Sequence, residues 1–297
     1  MGLYELFTSP HPTFLGLQTE FERARYVILG VPFDGTSTYR SGARFAPLAI
    51  REASLNIETY SLRAELDGED LKLHDLGDLH VSGRVEETLN RLEGAVRDLL
   101  NAGKVPILLG GEHTITLGAM RAMKGDVALI SFDAHLDLRG EYLGRRISHT
   151  TFMRRLHEQL KPGLIVEVGT RAVCKEELRY ARENDIKILT SQQIMEQGAK
   201  NTVEAIREFT SDFSRIYLSV DMDVLDPAFA PAVQNPEPDG LSIHLLLDLL
   251  CGVCDRRVVG FDLVEVTPHY DRGVTAIQAS KIILEALCHL ERGMSAP

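Results

Sequence analysis

Seven short apolar runs, at residues 26–31, 105–109, 127–132, 164–168, 187–189, 216–220 and 258–263, alternate with amphipathic segments at 85–101, 175–184, 202–210, 243–253 and 276–290. A strand that is apolar at nearly every position must be buried on both faces. Helices crossing from one parallel strand to the next supply that cover. The alternation therefore predicts an α/β fold, a three-layer α/β/α sandwich around a mostly parallel sheet of about eight strands. No Pro/Gly/Ser-rich linker and no charge block interrupts the 297 residues, so 1–297 reads as a single domain.

The balance of 32 Lys and Arg against 43 Asp and Glu leaves a net charge of -11. Phosphate binding needs a basic surface, so no nucleic-acid partner is expected, whereas a small cationic substrate suits the field. No stretch approaches about 18 consecutive apolar residues, and the first residues lack a basic segment followed by an apolar run, so no membrane contact is expected. A cytoplasmic location follows. Four cysteines, at 174, 251, 254 and 288, are too sparse for a disulfide framework. Cys251 and Cys254 end an apolar helical pattern and read as half-buried thiols rather than a redox pair.

In open parallel sheets, ligands bind beyond the carboxyl ends of the strands. Three such positions carry ligand-type side chains: Gly110-Gly111-Glu112-His113, Asp133-Ala134-His135-Leu136-Asp137 and Asp221-Met222-Asp223. Residues two apart in an extended segment share a face, so Asp133, His135 and Asp137 can converge, as can Asp221 and Asp223. Any one of these motifs alone reads as a turn or a helix cap. Together they place four carboxylates and two imidazoles at one end of the sheet, and four buried anions need counter-charge. Two divalent cations supply it. An oxygen-rich set without thiolate favours a hard ion, giving an expectation of two Mn²⁺ per subunit, with zinc, cobalt and nickel left open.

These motifs, extended to Ser131-Phe132-Asp133-Ala134-His135-Leu136-Asp137 and Ser219-Val220-Asp221-Met222-Asp223-Val224-Leu225-Asp226-Pro227, resemble the metal-binding signatures of the ureohydrolases, the arginase/agmatinase family. The resemblance extends from Gly30-Val31-Pro32-Phe33-Asp34 and Gly42-Ala43-Arg44-Phe45-Ala46-Pro47 to Asp262-Leu263-Val264-Glu265-Val266. It implies an arginase-like fold and removal of urea from a guanidino compound by a metal-bound hydroxide. Asp133 and Asp221 would bridge two metals, with His113 and Asp137 completing one shell and His135 and Asp223 the other. The catalytic residues would be Asp137, accepting a proton, His149, delivering one to the leaving amine, and Glu265, clamping the guanidinium. A homo-oligomer, trimer or hexamer, is implied as well.

The segment 138–148 lacks the Asn and Ser pattern by which arginases hold the α-amino acid end of their substrate, which demotes arginine. Ala228-Phe229-Ala230-Pro231 continues as in agmatinases, while Ala232-Val233-Gln234-Asn235-Pro236-Glu237 departs from their small-residue run. The expected substrate is agmatine, hydrolysed to putrescine, or an aminopropyl derivative of it. Glu265, His149 and Glu141 would bind it, although Arg145 and Arg146 would repel its ammonium if they faced the site. Arginase, guanidino-acid hydrolase and formimidoylglutamase activities are the alternatives. A non-catalytic metal-binding scaffold is disfavoured because none of the six ligands is missing, nor is His149. A mononuclear zinc hydrolase would hold one metal per chain.

Overall fold

A computed structural model describes residues 7–9, 12–123 and 125–295. Its strands are β1 Thr8–Ser9, β2 Tyr26–Val31, β3 Tyr60–Ser61, β4 Leu66–Asp67, β5 Leu73–Leu79, β6 Val105–Gly110, β7 Ala128–Phe132, β8 Leu164–Thr170, β9 Lys187–Thr190, β10 Ile216–Asp221 and β11 Val258–Val264. Its helices are α1 Ala46–Ser54, α2 Val85–Asn101, α3 Ile115–Arg121, α4 Phe152–Leu160, α5 Lys175–Glu183, α6 Ser191–Phe209, α7 Ile243–Val253 and α8 Val274–Ser295. The main sheet runs β1-β5-β2-β6-β11-β10-β7-β8-β9, and β3 pairs with β4 apart from it. From β5 to β9 every neighbouring pair is parallel, and only β1 is antiparallel, at one edge.

Alternate residues of each strand feed two cores. Ile28, Ile107, Ile130, Leu218 and Phe261 pack with α1, α6, α7 and α8 on one face. Leu29, Leu108, Leu129, Tyr217 and Val264 pack with α2, α3, α4 and α5 on the other. The expected three layers and eight parallel strands are thus present. No helix among the described residues is long and apolar enough to cross a membrane.

Three helices, α1, α3 and α4, and four strands, β1, β3, β4 and β5, were not expected. β5 reads Leu-His-Asp-Leu-Gly-Asp-Leu, whose carboxylates break the apolar pattern. Arg51 of α1, fully buried, reaches them: its Nε and Nη2 donate to Asp75 over 2.8 Å and its Nη1 to Asp78 over 2.6 Å. The segment expected as a helix at 202–210 is the second half of α6, whose first half begins at a Thr190–Gln193 capping box. Gly198, at φ 78 and ψ 168, breaks the periodicity between the halves.

β6 and β7 are consecutive in sequence but not adjacent, since β11 and β10 lie between them. Chain direction across the sheet reverses there, and the crevice beyond the carboxyl ends of β6, β11, β10 and β7 is where such folds bind ligands.

Candidate active site

His113, Asp133, Asp221 and Glu265 stand at the ends of four adjacent central strands and are all buried. His113 follows Gly110-Gly111, a position that tolerates no side chain: a Cβ on Gly111 would lie 1.9 Å from the Phe33 carbonyl oxygen. The backbone of β6 thereby runs close against the loop after β2, and His113 is delivered to the crevice at the start of α3.

His113 Nδ1 lies 3.0 Å from Asp133 Oδ2, 3.1 Å from Asp221 Oδ2 and 3.6 Å from Asp137 Oδ2. His135 Nδ1 lies 3.0 Å from Asp223 Oδ2 and 3.5 Å from Asp133 Oδ1. Two donor groups result, His113-Asp133-Asp221 and Asp133-His135-Asp223, sharing Asp133. All six expected ligands therefore converge, though not by strand pleating alone. Asp223 is turned back by a short 3-10 turn at Met222–Val224, where its N–H donates to Asp221 Oδ1 over 2.8 Å, and Asp137 adopts a left-handed φ of 52.

Burial, then the neighbouring charge of Asp133, pushes the Asp137 carboxyl well above its ordinary range. Burial followed by Asp223 and Asp133 does the same to Asp221. Protein groups alone thus fail to stabilise these two carboxylates as anions, and buried His113 Nδ1 has no well-aligned hydrogen bond among the described residues although Asp133 Oδ2 stands 3.0 Å away. A lone pair aimed among clustered carboxylate oxygens fits divalent cations.

Glu265, only 2% exposed and at φ 72, accepts the His113 N–H at Oε1 over 2.7 Å. His149 Nδ1 is 3.8 Å from the same oxygen. His149 is seated by the loop after β2: its N–H donates to Thr36 Oγ1 and its Nε2 lies 3.0 Å from Thr38 Oγ1. Burial first, then the two site histidines, holds its imidazole down to about 3, so the ring is neutral.

A cavity of about 440 Å³ opens over these groups, lined among others by His135, Asp137, His149, Glu177, Glu237 and Glu265. Two arginines line it as well. Arg171 is committed to backbone, donating to the carbonyls of Asp223, Glu237 and Pro238 over 2.7–2.9 Å and to those of Gly169, Val224 and Leu225 over 3.2–3.3 Å. Arg139 stacks on the Tyr142 ring at 4.9 Å.

The structure does not bring Glu141 to the cavity. Tyr142 and Arg145 exchange backbone hydrogen bonds around Leu143 and Gly144, both at positive φ, and this tight turn leaves Glu141 exposed while Arg139 and Tyr142 face inward. Arg145 and Arg146 line a separate pocket beside Phe33 and Val85, and Arg145 donates to the Gly35 carbonyl. Neither lines the crevice. Of the two unusual residues in 232–237, Asn235 lines the cavity while Gln234 is fully buried behind it. Thr36, Thr38, Arg171, Glu177 and Glu237 were not singled out from sequence, since they sit in loops or helix starts without periodicity; the polar run after β2 was the one available signal.

A parallel α/β sheet that presents carboxylates and imidazoles in this way has the architecture of a metal-dependent hydrolase. Residues 24–289 match the Arginase family. The N(1)-aminopropylagmatine ureohydrolase of Thermococcus kodakarensis is 37% identical over 290 residues, covering 93% of this chain and 96% of that one. The crystal structure of an agmatine ureohydrolase of Thermoplasma volcanium superposes with a TM-score of 0.88 at 36% identity, covering 98% and 97%. Proclavaminate amidino hydrolase of Streptomyces clavuligerus gives 0.88 at 34% identity, covering 96% and 99%. The chain belongs to the arginase family and is a ureohydrolase.

Proposed function

We propose that this ureohydrolase releases urea from a small cationic guanidino compound, agmatine or aminopropylagmatine, using two Mn²⁺ ions per subunit held by His113, Asp133, His135, Asp137, Asp221 and Asp223. The observation that carries the substrate is the charge of the cavity: Glu237, Glu177 and Glu265 line it, while Arg171 is spent on backbone carbonyls. Relatives named for agmatine and aminopropylagmatine support the same reading.

When bound, the cations would supply Lewis acidity and a water acidic enough to lose its proton near neutral pH. The protein does the rest. With Oε1 of Glu265 held by the His113 N–H, Oε2 accepts from the guanidinium and fixes its plane. Asp137, at the cavity wall, takes a proton on its carboxylate. His149, neutral at rest beside Glu265, relays a proton: its ring takes one from solvent as it gives one to the departing amine, with Thr38 orienting the ring.

Urea release from a panel, after chelation and Mn²⁺ re-addition, tests this. Agmatine or its aminopropyl derivative should exceed arginine, guanidinobutyrate and formiminoglutamate in kcat/KM, and the reverse order overturns the choice. Arg139 favours one second reading, a carboxylate-bearing guanidino compound, since its guanidinium lines the same cavity and pairs with no carboxylate among the described residues. The same panel separates the two.

The proposal includes a cytoplasmic homo-oligomer, trimer or hexamer. Exposed Tyr39 and Tyr270, joined through Arg40, and exposed Phe45 against His269 supply apolar surface for it. Light scattering on the eluting protein reads the mass.

A further inference from the structure

One step below the candidate metal ligands, polar residues form a row across the centre of the sheet. Ser131, Ser219 and Asp262 are register partners on β7, β10 and β11, all fully buried. An apolar row would pack there at no desolvation cost, so these groups need a reason. Asp262 accepts three hydroxyls: Ser219 Oγ at 2.5 Å on Oδ1, and Tyr217 Oη at 2.8 Å and Thr116 Oγ1 at 2.9 Å on Oδ2. Ser219 Oγ in turn lies 2.9 Å from His113 Nε2.

Proton counting fixes the direction of this chain. Tyr217 and Thr116 direct their protons at Oδ2 and Ser219 directs its single proton at Oδ1, so all three hydroxyls point at Asp262. Ser219 then accepts from His113, which places an imidazole proton on Nε2 and reserves Nδ1, among Asp133, Asp221 and Asp137, as the atom that can ligate once a cation displaces any proton there. Phe152, with its ring centroid 4.4 Å from that of His113, limits rotation of the imidazole.

We propose that Asp262 and Ser219 are positioning residues that lock His113 in the Nε2–H tautomer and thereby set how tightly the site holds one of its two cations. This rests on the reading of His113 as a ligand. Neither residue touches substrate.

The test measures Mn²⁺ affinity and stoichiometry by calorimetry and elemental analysis, alongside the melting temperature of the chelated protein. Ser219→Ala should weaken one of two sites roughly 10- to 100-fold, the usual effect of losing such an outer partner. Asp262→Asn is the sharper variant. Its amide would donate to Ser219, turn the serine proton toward His113 and favour the Nδ1–H tautomer, which cannot ligate. Asp262→Asn should therefore bind the weakened ion no better than Asp262→Ala, although the isosteric change disturbs packing less. Should the Asp262 variants not fold, Tyr217→Phe, which removes one donor that orients Asp262, should weaken the same ion about 2- to 5-fold, part of the worth of that charge-assisted bond. Lower melting temperatures with unchanged Mn²⁺ affinity in these variants overturn the proposal. His113→Ala separates the two failures: if it keeps both ions, the ligand reading itself is wrong, whereas if it loses one while Ser219→Ala and Asp262→Asn keep both, only the relay is wrong.

Discussion

His113 holds Glu265 from its backbone: its N–H donates to Glu265 Oε1 over 2.7 Å, while its ring faces Asp133 and Asp221. One residue thus couples the candidate metal cluster to the candidate guanidinium clamp, and the geometry of both depends on the turn after β6. Glu265→Gln keeps the acceptor for that N–H but loses the charge. It should lower kcat/KM by roughly 10- to 150-fold, the worth of a charge-assisted hydrogen bond of about 1.5–3 kcal/mol. Metal content should remain at two ions per chain. Full activity with Gln would remove Glu265 from the mechanism.

Chelation should abolish urea release and lower the melting temperature, since four buried carboxylates would lose their counter-charge. At a free Mn²⁺ concentration about 100 times Kd, one site adds about 2.7 kcal/mol, equivalent to roughly 4 °C in a chain of this size. Re-addition should restore both readouts. Restored stability without activity on any guanidino compound would separate metal binding from the proposed chemistry.

Glu237 sits at the cavity rim, 42% exposed in its side chain and 3.9 Å from His135 Nε2, with its carbonyl pinned by Arg171. If its charge attracts a distal ammonium, Glu237→Gln raises KM for agmatine about 2- to 5-fold with kcat little changed, as a screened pair of up to about 1 kcal/mol allows. Glu237→Lys should shift preference toward guanidinobutyrate. Parallel loss on both substrates would assign Glu237 to His135 instead.

Arg51 is fully buried and fork-bonded to Asp75 and Asp78, far from the crevice in role. Arg51→Ala removes the guanidinium that Asp75 and Asp78 share in the core and should cost about 3–5 kcal/mol in denaturant unfolding. Activity per folded molecule should be retained. A loss under 1 kcal/mol would mean that water replaces the guanidinium.

Cys251 and Cys254 are both free thiols, and burial raises both, Cys251 to about 11. At pH 7 about one Cys251 in ten thousand is thiolate. Iodoacetamide labelling should therefore be slow, rising about tenfold per pH unit up to pH 10, and peptide mass spectrometry reads it. Rapid labelling at pH 7 would revive a redox role for the pair.

The strands nearest the site were legible because they are buried on both faces and therefore mostly apolar, as in β6, β10 and β11, even with Ser219 and Asp262 among them. β5 was not, because its carboxylates are neutralised by Arg51 from a helix that itself carries a buried charge. Among site residues, the six candidate metal ligands follow strands and could be read from their spacing, although a 3-10 turn and a left-handed φ place Asp223 and Asp137. Glu141 could not be placed, because a turn at Leu143 and Gly144 decides which neighbours face inward. Thr38 and Glu237 reach the cavity through loops whose direction is set by tertiary hydrogen bonds, Arg171 above all.

The insertion of β10 and β11 between β6 and β7 bears on biosynthesis. A ribosome makes His113 and the Asp133–Asp137 motif well before the two strands that carry Asp221 and Glu265. Until those strands slide into the gap, the emerged segment has an open sheet and four of the six candidate ligands. Long-range pairing of this kind is slow and leaves strand edges exposed. The proposed two-ion site is therefore incomplete until both strands are in place, and chains truncated before residue 221 should bind fewer ions than the full chain.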